Sequence, residues 1–267
     1  MGRAVDLEKV AKIKNAIRTN WEESPELYQS FEERYGFFRT LTQTLLTRMG
    51  LASGSVVLDV GCGTAASSVQ IAETLPGSRV WGLDNSSAML ESARARVGQS
   101  DRLRFVEGDA ARLVDHFAQQ FDGILYNACI FLIPDYEESL RQARALLKDG
   151  GKVGLSFMDG LYDHEGRNAL AEADREAGEG VSLKKAVVLQ ALHDSFKELF
   201  PLHESWTEDF RLPRELLRDF FSVQAMSAGL FSHVPFPERV RKAEHLFDHL
   251  PGGAIVFRWV LMVGRLN

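Results

Sequence analysis

Residues 56–66 read Val-Val-Leu-Asp-Val-Gly-Cys-Gly-Thr-Ala-Ala, and residues 79–84 read Arg-Val-Trp-Gly-Leu-Asp. The first segment is an apolar, β-branched run that ends in a Gly-x-Gly turn. A helical pattern follows it, and the second segment is a short strand that closes on Asp84. This order predicts the first half of a nucleotide-binding βαβ unit, in which Gly61 and Gly63 allow a sharp turn close to a ligand. Asp84 lies about 20 residues past the turn, where a carboxylate can bind ribose hydroxyls.

Asp59 precedes this turn by two residues and narrows the choice of ligand. A carboxylate there would repel the pyrophosphate of a dinucleotide, because two like charges about 4 Å apart at an effective dielectric near 20 cost roughly 4 kcal/mol. The same carboxylate would attract the ammonium group of S-adenosylmethionine, which carries a nucleoside at its other end. The turn therefore favours a cationic nucleoside ligand over a dinucleotide.

Short apolar runs alternate with segments of helical spacing from Val56 to about Met158. Strands alternating with helices of roughly 10–15 residues are typical of a parallel sheet covered on both faces, so the sequence predicts an α/β fold with a doubly wound, mostly parallel sheet. Asp135-Tyr-Glu-Glu138 predicts a capping box at the start of one helix, and Lys148-Asp-Gly-Gly151 predicts its stop. The predicted strands in this region are 56–60, 79–84, 103–107, 121–127 and 152–158.

The segments outside this alternating region are predicted to be mostly helical. Residues 1–50 are predicted to form an N-terminal helical cap of two or three helices, beginning near residue 6, with a break at Gly36 and a stop at Gly50. Residues 160–219 are predicted to form a helical lid over the carboxyl edge of the sheet, with helices at 166–177 and 182–199.

Strand character returns towards the end of the chain, so the sheet is expected to contain seven strands. The last predicted elements are a strand at 221–226, a helix at 238–250 and an apolar strand at 254–263. The sheet domain is accordingly assigned to residues 51–159 and 220–267, on either side of the lid.

The pattern from Leu58 to Thr64, together with Phe105-Val-Glu-Gly-Asp109-Ala110, resembles the motifs of the class I S-adenosylmethionine-dependent methyltransferases. The resemblance covers about 56–158, with a plausible tail at 220–267. It implies a Rossmann-like fold, S-adenosyl-L-methionine as cofactor and S-adenosyl-L-homocysteine as product. The cofactor-binding positions that it implies are Asp59, Gly61, Cys62, Gly63, Asp84, Asn85, Met89, Asp109, Ala110 and Asn127.

The resemblance also implies a role for several of these residues. Asp59 would face the amino group of the methionine end, directly or through water, and Asp84 would bind the ribose. Asp109 would take the exocyclic amine of the adenine, with the Ala110 amide facing a ring nitrogen, and Asn127 would border the transferred methyl. Tyr28 and Tyr35 in the N-terminal helices could close over the methyl donor, with core packing an equal alternative.

The residues after the predicted fourth strand separate this chain from two branches of the family. Asn127-Ala-Cys-Ile130 lacks the two prolines of enzymes that methylate bases or amide side chains, and Phe131-Leu-Ile133 lacks the histidine of many small-molecule relatives. We therefore expect in-line methyl transfer to a small molecule, driven by positioning and desolvation and without an obvious general base. O-methylation is slightly favoured because it is common among small-molecule relatives.

A catalytic base, if one exists, is expected in the lid or N-terminal segments. The candidates are Tyr162, His164, His203 and His233, and for each a solvated loop or an ordinary surface or packed side chain is the alternative. His245 and His249 are one helical turn apart but have no evident third ligand, so no metal site is predicted. The aromatic residues at 28–38 and 196–236 favour an aromatic or lipophilic substrate, although helix packing explains most of them.

Composition excludes several classes of partner. The net charge is −6 with no block of Lys and Arg, which argues against nucleic acid. The two cysteines do not form a disulfide framework. There is no signal-peptide pattern at Met1–Asp6 and no apolar run of about 18 residues, so a cytoplasmic protein without a membrane partner is expected.

Two alternative functions remain compatible with parts of the sequence. A nicotinamide-dependent oxidoreductase would fit Gly61-x-Gly63-x-x-Ala66 and Asp84, but Asp59 and the Asp109-Ala110 pair argue against it. A non-catalytic methyltransferase-like subunit that binds S-adenosylmethionine would fit the missing histidine.

Overall fold

The computed structural model describes residues 7–182, 187–236 and 238–266. Two predicted segments lie partly outside these ranges. They are residues 1–6, which include the predicted beginning of the first helix, and residues 183–186 of the predicted 182–199 helix. None of the helices in the described ranges combines the length and the apolar character needed to cross a bilayer.

Seven strands form one sheet in the order β3-β2-β1-β4-β5-β7-β6, in which β7 alone runs in the direction opposite to the other six. The predicted doubly wound, mostly parallel sheet is therefore confirmed. The first three strands have the predicted bounds, and β5 is longer than predicted. The strands are β1 Val56–Val60, β2 Arg79–Asp84, β3 Leu103–Glu107, β4 Phe121–Tyr126, β5 Leu147–Tyr162, β6 Leu202–Leu212 and β7 Ile255–Arg265.

Helices cover both faces of this sheet and extend beyond its carboxyl edge. Gly36 and Gly50 adopt positive φ angles of 57° and 53° at the ends of α2 and α3, as their predicted break and stop positions require. The helices are α1 Leu7–Glu22, α2 Pro25–Tyr35, α3 Phe37–Met49, α4 Ala66–Thr74, α5 Ser87–Val97, α6 Leu113–His116, α7 Tyr136–Leu146, α8 Ala169–Ala177, α9 Leu189–Leu199, α10 Arg214–Ser222, α11 Gln224–Ala228 and α12 Glu238–Asp248.

Two apolar clusters hold the layers together, one on each face of the sheet. Alternate residues of β1 join different clusters: Val57 packs with the helix α3 side, and Leu58 packs with the α7 side. All five β1 residues are buried. Burial of a Val or Leu side chain stabilises the fold by about 1.5–3 kcal/mol, so the strand that carries the glycine turn is firmly anchored.

The sixth strand lies where a helix was expected, which corrects two predictions. Residues 221–226 form no strand, because Leu216, Leu217, Phe220 and Phe221 follow helical spacing and are buried in α10. The strand is instead β6, inside the predicted helical lid at 160–219. Its partly buried residues alternate with exposed ones, as in a strand at the edge of a sheet.

The predicted capping box at Asp135 is also wrong. Asp135 precedes α7, but its side chain makes no hydrogen bond to that helix. Its Oδ2 atom instead lies 2.7 Å from Nζ of Lys14 on α1. The carboxylate is therefore used to hold α1 rather than to start α7.

Candidate functional site

A cavity of about 810 Å³, including its opening to solvent, lies at the carboxyl ends of β1, β2 and β4. In a doubly wound sheet this edge is where ligands bind. Helices α1, α2, α3 and α11 close the cavity from the other side. Its lining includes the predicted Tyr28 of the N-terminal helices and eight of the other predicted cofactor residues, namely Gly61, Gly63, Asp84, Asn85, Met89, Asp109, Ala110 and Asn127.

The glycine turn joins β1 to α4 at the base of this cavity. The amides of Gly61 and Cys62 donate to the carbonyl oxygen of Leu83 over 2.7 and 3.1 Å, which fixes the turn against the end of β2. Gly61 and Gly63 have φ angles of 68° and 53°. A Cβ atom on Gly61 would lie only 2.7 Å from Cβ of Cys129, so glycine is required there for space as well as for conformation.

Asp84 ends β2 and lies at the cavity wall beside the turn. Its Oδ2 atom accepts a hydrogen bond from the Gly63 amide over 2.9 Å, and its Oδ1 atom accepts one from the Ser86 amide over 3.0 Å. Burial raises the pKa of this carboxyl, and the backbone amides partly oppose that rise. The carboxylate is thus held in one orientation, and each oxygen retains a lone pair for a further donor.

Asp59 is fully buried next to the turn and does not itself line the cavity. Its Oδ2 atom accepts hydrogen bonds of 2.6 Å from the hydroxyls of both Ser67 and Ser68, whereas Oδ1 has no partner among the described residues. Burial raises the pKa of Asp59 to about 6. An unpartnered buried carboxylate oxygen is costly, and it suits a cationic group or a water that reaches it from the turn.

Asp109 forms the opposite wall of the cavity and is held by an ion pair that the sequence did not reveal. Nζ of Lys14 lies 2.7 Å from Oδ2 of Asp109 and 2.7 Å from Oδ2 of Asp135. Oδ1 of Asp109 accepts the Ala111 amide over 2.9 Å. Burial lowers the pKa of Lys14, but the two carboxylates raise it more, so this lysine stays charged. Lys14 itself lines the cavity.

Asn127 follows β4 and borders the cavity, but its side chain is committed to the fold. Nδ2 donates to the Phe38 carbonyl and to the Thr42 hydroxyl over 2.9 Å each. Oδ1 accepts from the Ser156 hydroxyl over 2.9 Å. Three hydrogen bonds therefore use this amide to hold α3 against β4 and β5.

Aromatic rings from the N-terminal helices form the end of the cavity nearest α2. The ring of Tyr28 lies 5.5 Å from that of Trp21 and stacks on Phe38 at 5.4 Å. Burial, followed by the charges of nearby carboxylates, raises the pKa of the Tyr28 phenol well above its usual value. Trp21, Phe38 and Met226 line the cavity and were not among the predicted residues. No local motif marks them, because their place depends on how the helices pack.

Three predicted residues lie outside the cavity lining. The Tyr35 hydroxyl donates to Asp219 over 2.7 Å, so the structure places this ring between α2 and α10 and corrects its predicted place over the methyl donor. The Tyr162 hydroxyl donates to Asp159 over 2.9 Å, which together with burial raises its pKa to about 12. The Cys62 side chain packs beneath Gly82, and burial raises its pKa.

The three candidate histidines also lie away from the cavity. His164 is exposed and lies 3.7 Å from Glu165, while His233 is exposed in the segment before α12. Nδ1 of His203, on β6, lies 3.1 Å from the Phe200 carbonyl. None of these histidines lines the cavity, and neither does Tyr162. His203 lies on the edge strand β6, within the segment that was expected to form a helical lid.

The described residues contain no group of three or more His, Cys, Asp and Glu side chains that could hold a metal ion. His245, on α12, instead lies 2.6 Å from Glu179 through its Nδ1 atom.

Comparison with known proteins shows which proteins this chain resembles. A family model described as a methyltransferase domain matches residues 57–151, which run from β1 into β5 and include the glycine turn, Asp84 and Asp109. Trans-aconitate 2-methyltransferase of Methylobacterium radiotolerans is 38% identical over 141 residues, covering 52% of this chain and 51% of that protein. Demethylmenaquinone methyltransferase of Staphylococcus carnosus is 30% identical over 145 residues, covering 54% and 58%.

The matched part of the chain thus spans about half the length of the curated relatives it matches. Among solved structures, the [4+2]-cyclase SpnF aligns over 85% of this chain and 80% of its own with a TM-score of 0.54 at 19% identity, which shows the shared fold. Residues 57–151 are therefore similar in sequence to a methyltransferase domain, and the fold of the chain agrees with the resemblance to the class I S-adenosylmethionine-dependent methyltransferases.

Proposed function

We propose that this cavity binds S-adenosylmethionine and that the chain transfers its methyl group to a small-molecule acceptor. The observation that carries the proposal is the fixed carboxylate of Asp84 beside the turn at Gly61–Gly63, on the cavity wall. When bound, the cofactor supplies a methyl group on a sulfonium, whose positive charge disappears when the methyl leaves.

The walls of the cavity offer one set of groups for each part of this cofactor. Asp84 retains acceptor capacity for ribose hydroxyls, and Asp109 with the amide of Ala110 lies where the adenine would bind. Asp59 places an unpartnered oxygen behind the turn, suited to the amino group of the methionine end. These positions follow the roles that the family resemblance implies.

The charge distribution also suits a cationic ligand. Besides burial, negative charges on Glu32, Asp59 and Asp84 contribute to the raised pKa of Tyr28. A negative potential at an aromatic wall favours a sulfonium, which can also lie against the face of an aromatic ring. A dinucleotide pyrophosphate would be repelled by the same carboxylates.

The acceptor is proposed to be an oxygen nucleophile that ionises without help from the protein, on a molecule with an apolar or aromatic body. Among the described residues that line the cavity there is no histidine, and the candidate bases lie elsewhere. Methyl transfer to a carboxylate or phenolate needs no general base, so positioning and exclusion of water can supply the rate. The names of the two relatives, a trans-aconitate and a demethylmenaquinone methyltransferase, are consistent with a carboxylic acid or a molecule with a quinone ring as the substrate.

The cofactor assignment is tested by calorimetric titration of the full chain with S-adenosylhomocysteine and, separately, with NADH. We expect saturable binding of the first and none of the second. The opposite result would favour the oxidoreductase alternative.

The acceptor is tested with methyl-labelled S-adenosylmethionine and a panel of carboxylic acids, phenols and amines. Labelled esters or ethers are the expected products, whereas labelled amines alone would contradict the proposed oxygen acceptor. Tight binding of the cofactor without label transfer to any panel member would favour a non-catalytic subunit.

A further inference from the structure

A second cavity, of about 620 Å³ including its opening, lies at the edge of the sheet opposite the candidate active site. Its lining includes the first residues of two neighbouring parallel strands, Val56 of β1 and Arg79 of β2. Lys148 enters from the beginning of β5. The glycine turn and Asp84, by contrast, lie at the carboxyl ends of the same strands. The two cavities are therefore separated by the length of the sheet.

This cavity is open because little structure covers the beginning of β2 and β3 on one face. Trp81 of β2 pairs in register with Arg104 of β3, so the two side chains share a face of the sheet. The segment between β3 and β4 contains only one α-helix, the four-residue α6, followed by Phe117, whose ring meets that of Trp81 at 5.8 Å.

Cations dominate the lining of this cavity, although the whole chain carries a net charge of −6. The lining contains four cationic side chains and one carboxylate. The cations are Arg79, Arg102, Arg104 and Lys148, and the carboxylate belongs to Asp101.

These four cations differ in whether another group of the protein binds them. Lys148 is partly neutralised by Asp122, 2.8 Å away, and Arg102 donates to the Ala72 carbonyl over 3.1 Å. Arg79 and Arg104 form no ion pair with the described carboxylates. Two guanidinium groups thus remain available at this cavity.

Arg104 also lies over an aromatic ring. Its guanidinium carbon lies 5.2 Å above the centre of the Trp81 ring. A guanidinium stacked on an aromatic face keeps its N–H edge free, and this planar fork matches two oxygens of a phosphate group. Gln119 and Gln120 add amide donors at the same cavity.

We propose that this cavity binds a multiply charged phosphoryl ligand, such as a pyrophosphate group, through Arg79 and Arg104. Two available guanidinium groups with Lys148 and Arg102 nearby match the charge of such a group better than that of a singly charged anion. The concave site suits a small molecule. This site is independent of methyl transfer and of the cofactor assignment.

The test is a titration of the full chain with inorganic pyrophosphate, followed by calorimetry and by ³¹P NMR at constant ionic strength. The R79Q/R104Q variant removes the two unpaired cations. The R141Q/R175Q variant is the matched control, since it changes the net charge equally but affects exposed arginines paired with Glu138 and Glu172. We expect saturable binding that weakens by at least about tenfold in the first variant and stays within about twofold in the control.

Further titrations identify the molecule that carries the phosphoryl group and distinguish specific binding from general attraction of anions. ADP and adenosine are titrated in the presence of S-adenosylhomocysteine; binding of ADP but not adenosine would support a nucleotide diphosphate as one form of the ligand. Citrate binding as tightly as pyrophosphate would overturn the phosphoryl assignment. Equal weakening in both double variants, or a response that never saturates, would show screening of net charge only and would overturn the site. Thermal unfolding of each variant without ligand shows whether the fold is retained.

Discussion

The carboxylate of Asp84 is bonded to the amide of Gly63, with 2.9 Å between Oδ2 and the nitrogen. This bond ties the end of β2 to the glycine turn, so the orientation of the acid and the shape of the turn depend on each other. The same residue also accepts the Ser86 amide at the start of α5. A ligand that binds to Asp84 therefore contacts a side chain whose position is already fixed. This limits the side-chain entropy that is lost on binding.

Replacing Asp84 by asparagine should weaken cofactor binding and also cost the fold one hydrogen bond, because the amide nitrogen cannot accept from the Gly63 or the Ser86 amide. D84N keeps one oxygen and the size of the side chain but loses the charge and one acceptor for the ribose. A hydrogen bond to a charged group contributes about 1.5–3 kcal/mol, so calorimetry with S-adenosylhomocysteine should show affinity lower by about 10- to 100-fold. D149N, at an exposed position, is the control and should bind as the wild type does. Unchanged affinity in D84N would remove Asp84 from the proposed site.

Asp59 should make the ligand-free protein less stable as the pH rises. Burial raises its folded pKa to about 6 from an ordinary value of 3.8. A carboxyl with a raised folded pKa contributes its full stability below the unfolded pKa and loses it as the pH rises through the folded pKa. The contribution should therefore fall between about pH 4 and pH 6, by about 3 kcal/mol at most.

The variant D59N isolates this contribution, because its amide oxygen can still accept from Ser67 and Ser68. Urea unfolding at a series of pH values should show D59N to be more stable than the wild type at pH 7 and similar to it near pH 4. At pH 7 the same variant should bind S-adenosylhomocysteine more weakly, since it offers no charge to the amino group. Parallel stability profiles for the two proteins would contradict the raised pKa.

The parts of the fold that the sequence predicted are those with local signals. β1 is buried on both faces, so all its residues except Asp59 are apolar, and the turn after it needs glycine at positions that any L side chain would strain. β6 escaped prediction because it is an edge strand. Six of its eleven residues are exposed, and three of these are charged, including Asp209, which pairs with Arg258 of β7 over 2.7 Å. Such a strand has no apolar run to mark it.

The same distinction separates the predicted and the missed residues of the candidate site. Gly61, Gly63 and Asp84 belong to a short motif whose spacing carries the signal. Lys14 meets Asp109 and Asp135 across 95 and 121 residues of chain, and only the packing of α1 brings them together. The candidate histidines failed for a related reason, because a side chain in a lid cannot be placed until the lid itself is known.

Gly61 should tolerate alanine much less well than another glycine with positive φ. The left-handed conformation costs a non-glycine residue about 1–2 kcal/mol, and G54A should lose only this amount, because nothing lies within 4 Å of the added Cβ. In G61A the Cβ would also meet Cys129 at 2.7 Å, which adds about 1–3 kcal/mol. Urea unfolding measures the loss of stability in each of the two variants. Adding C129G to G61A should recover the additional loss, and equal losses in G54A and G61A would contradict the steric argument.

Tyr28 and Tyr35 allow a matched test of whether an aromatic ring in the cavity lining binds the sulfonium. Tyr28 lines the cavity, whereas Tyr35 bonds to Asp219 outside it. Y28L should weaken binding of S-adenosylmethionine more than that of S-adenosylhomocysteine, because only the former carries a sulfonium. Loss of an interaction between a cation and an aromatic face of about 0.5–2 kcal/mol corresponds to about 2- to 30-fold. Y35L should leave the ratio of the two affinities unchanged, and an equal change in both variants would contradict a direct role for Tyr28.

Lys14 should hold α1 over the cavity, and its loss should release the helix without unfolding the sheet. K14M removes the cation between Asp109 and Asp135 but keeps an unbranched apolar side chain. K12M is the matched control, since it removes the same charge from the same helix at an exposed position paired only with Glu8. Hydrogen exchange of the α1 amides should accelerate by about 5- to 30-fold in K14M, as expected for a partly buried ion pair worth about 1–2 kcal/mol, and stay unchanged in K12M. Because α1 also supplies Trp21 to the cavity, K14M should release S-adenosylhomocysteine faster. Equal exchange in the two variants would show that α1 is held by its apolar contacts alone.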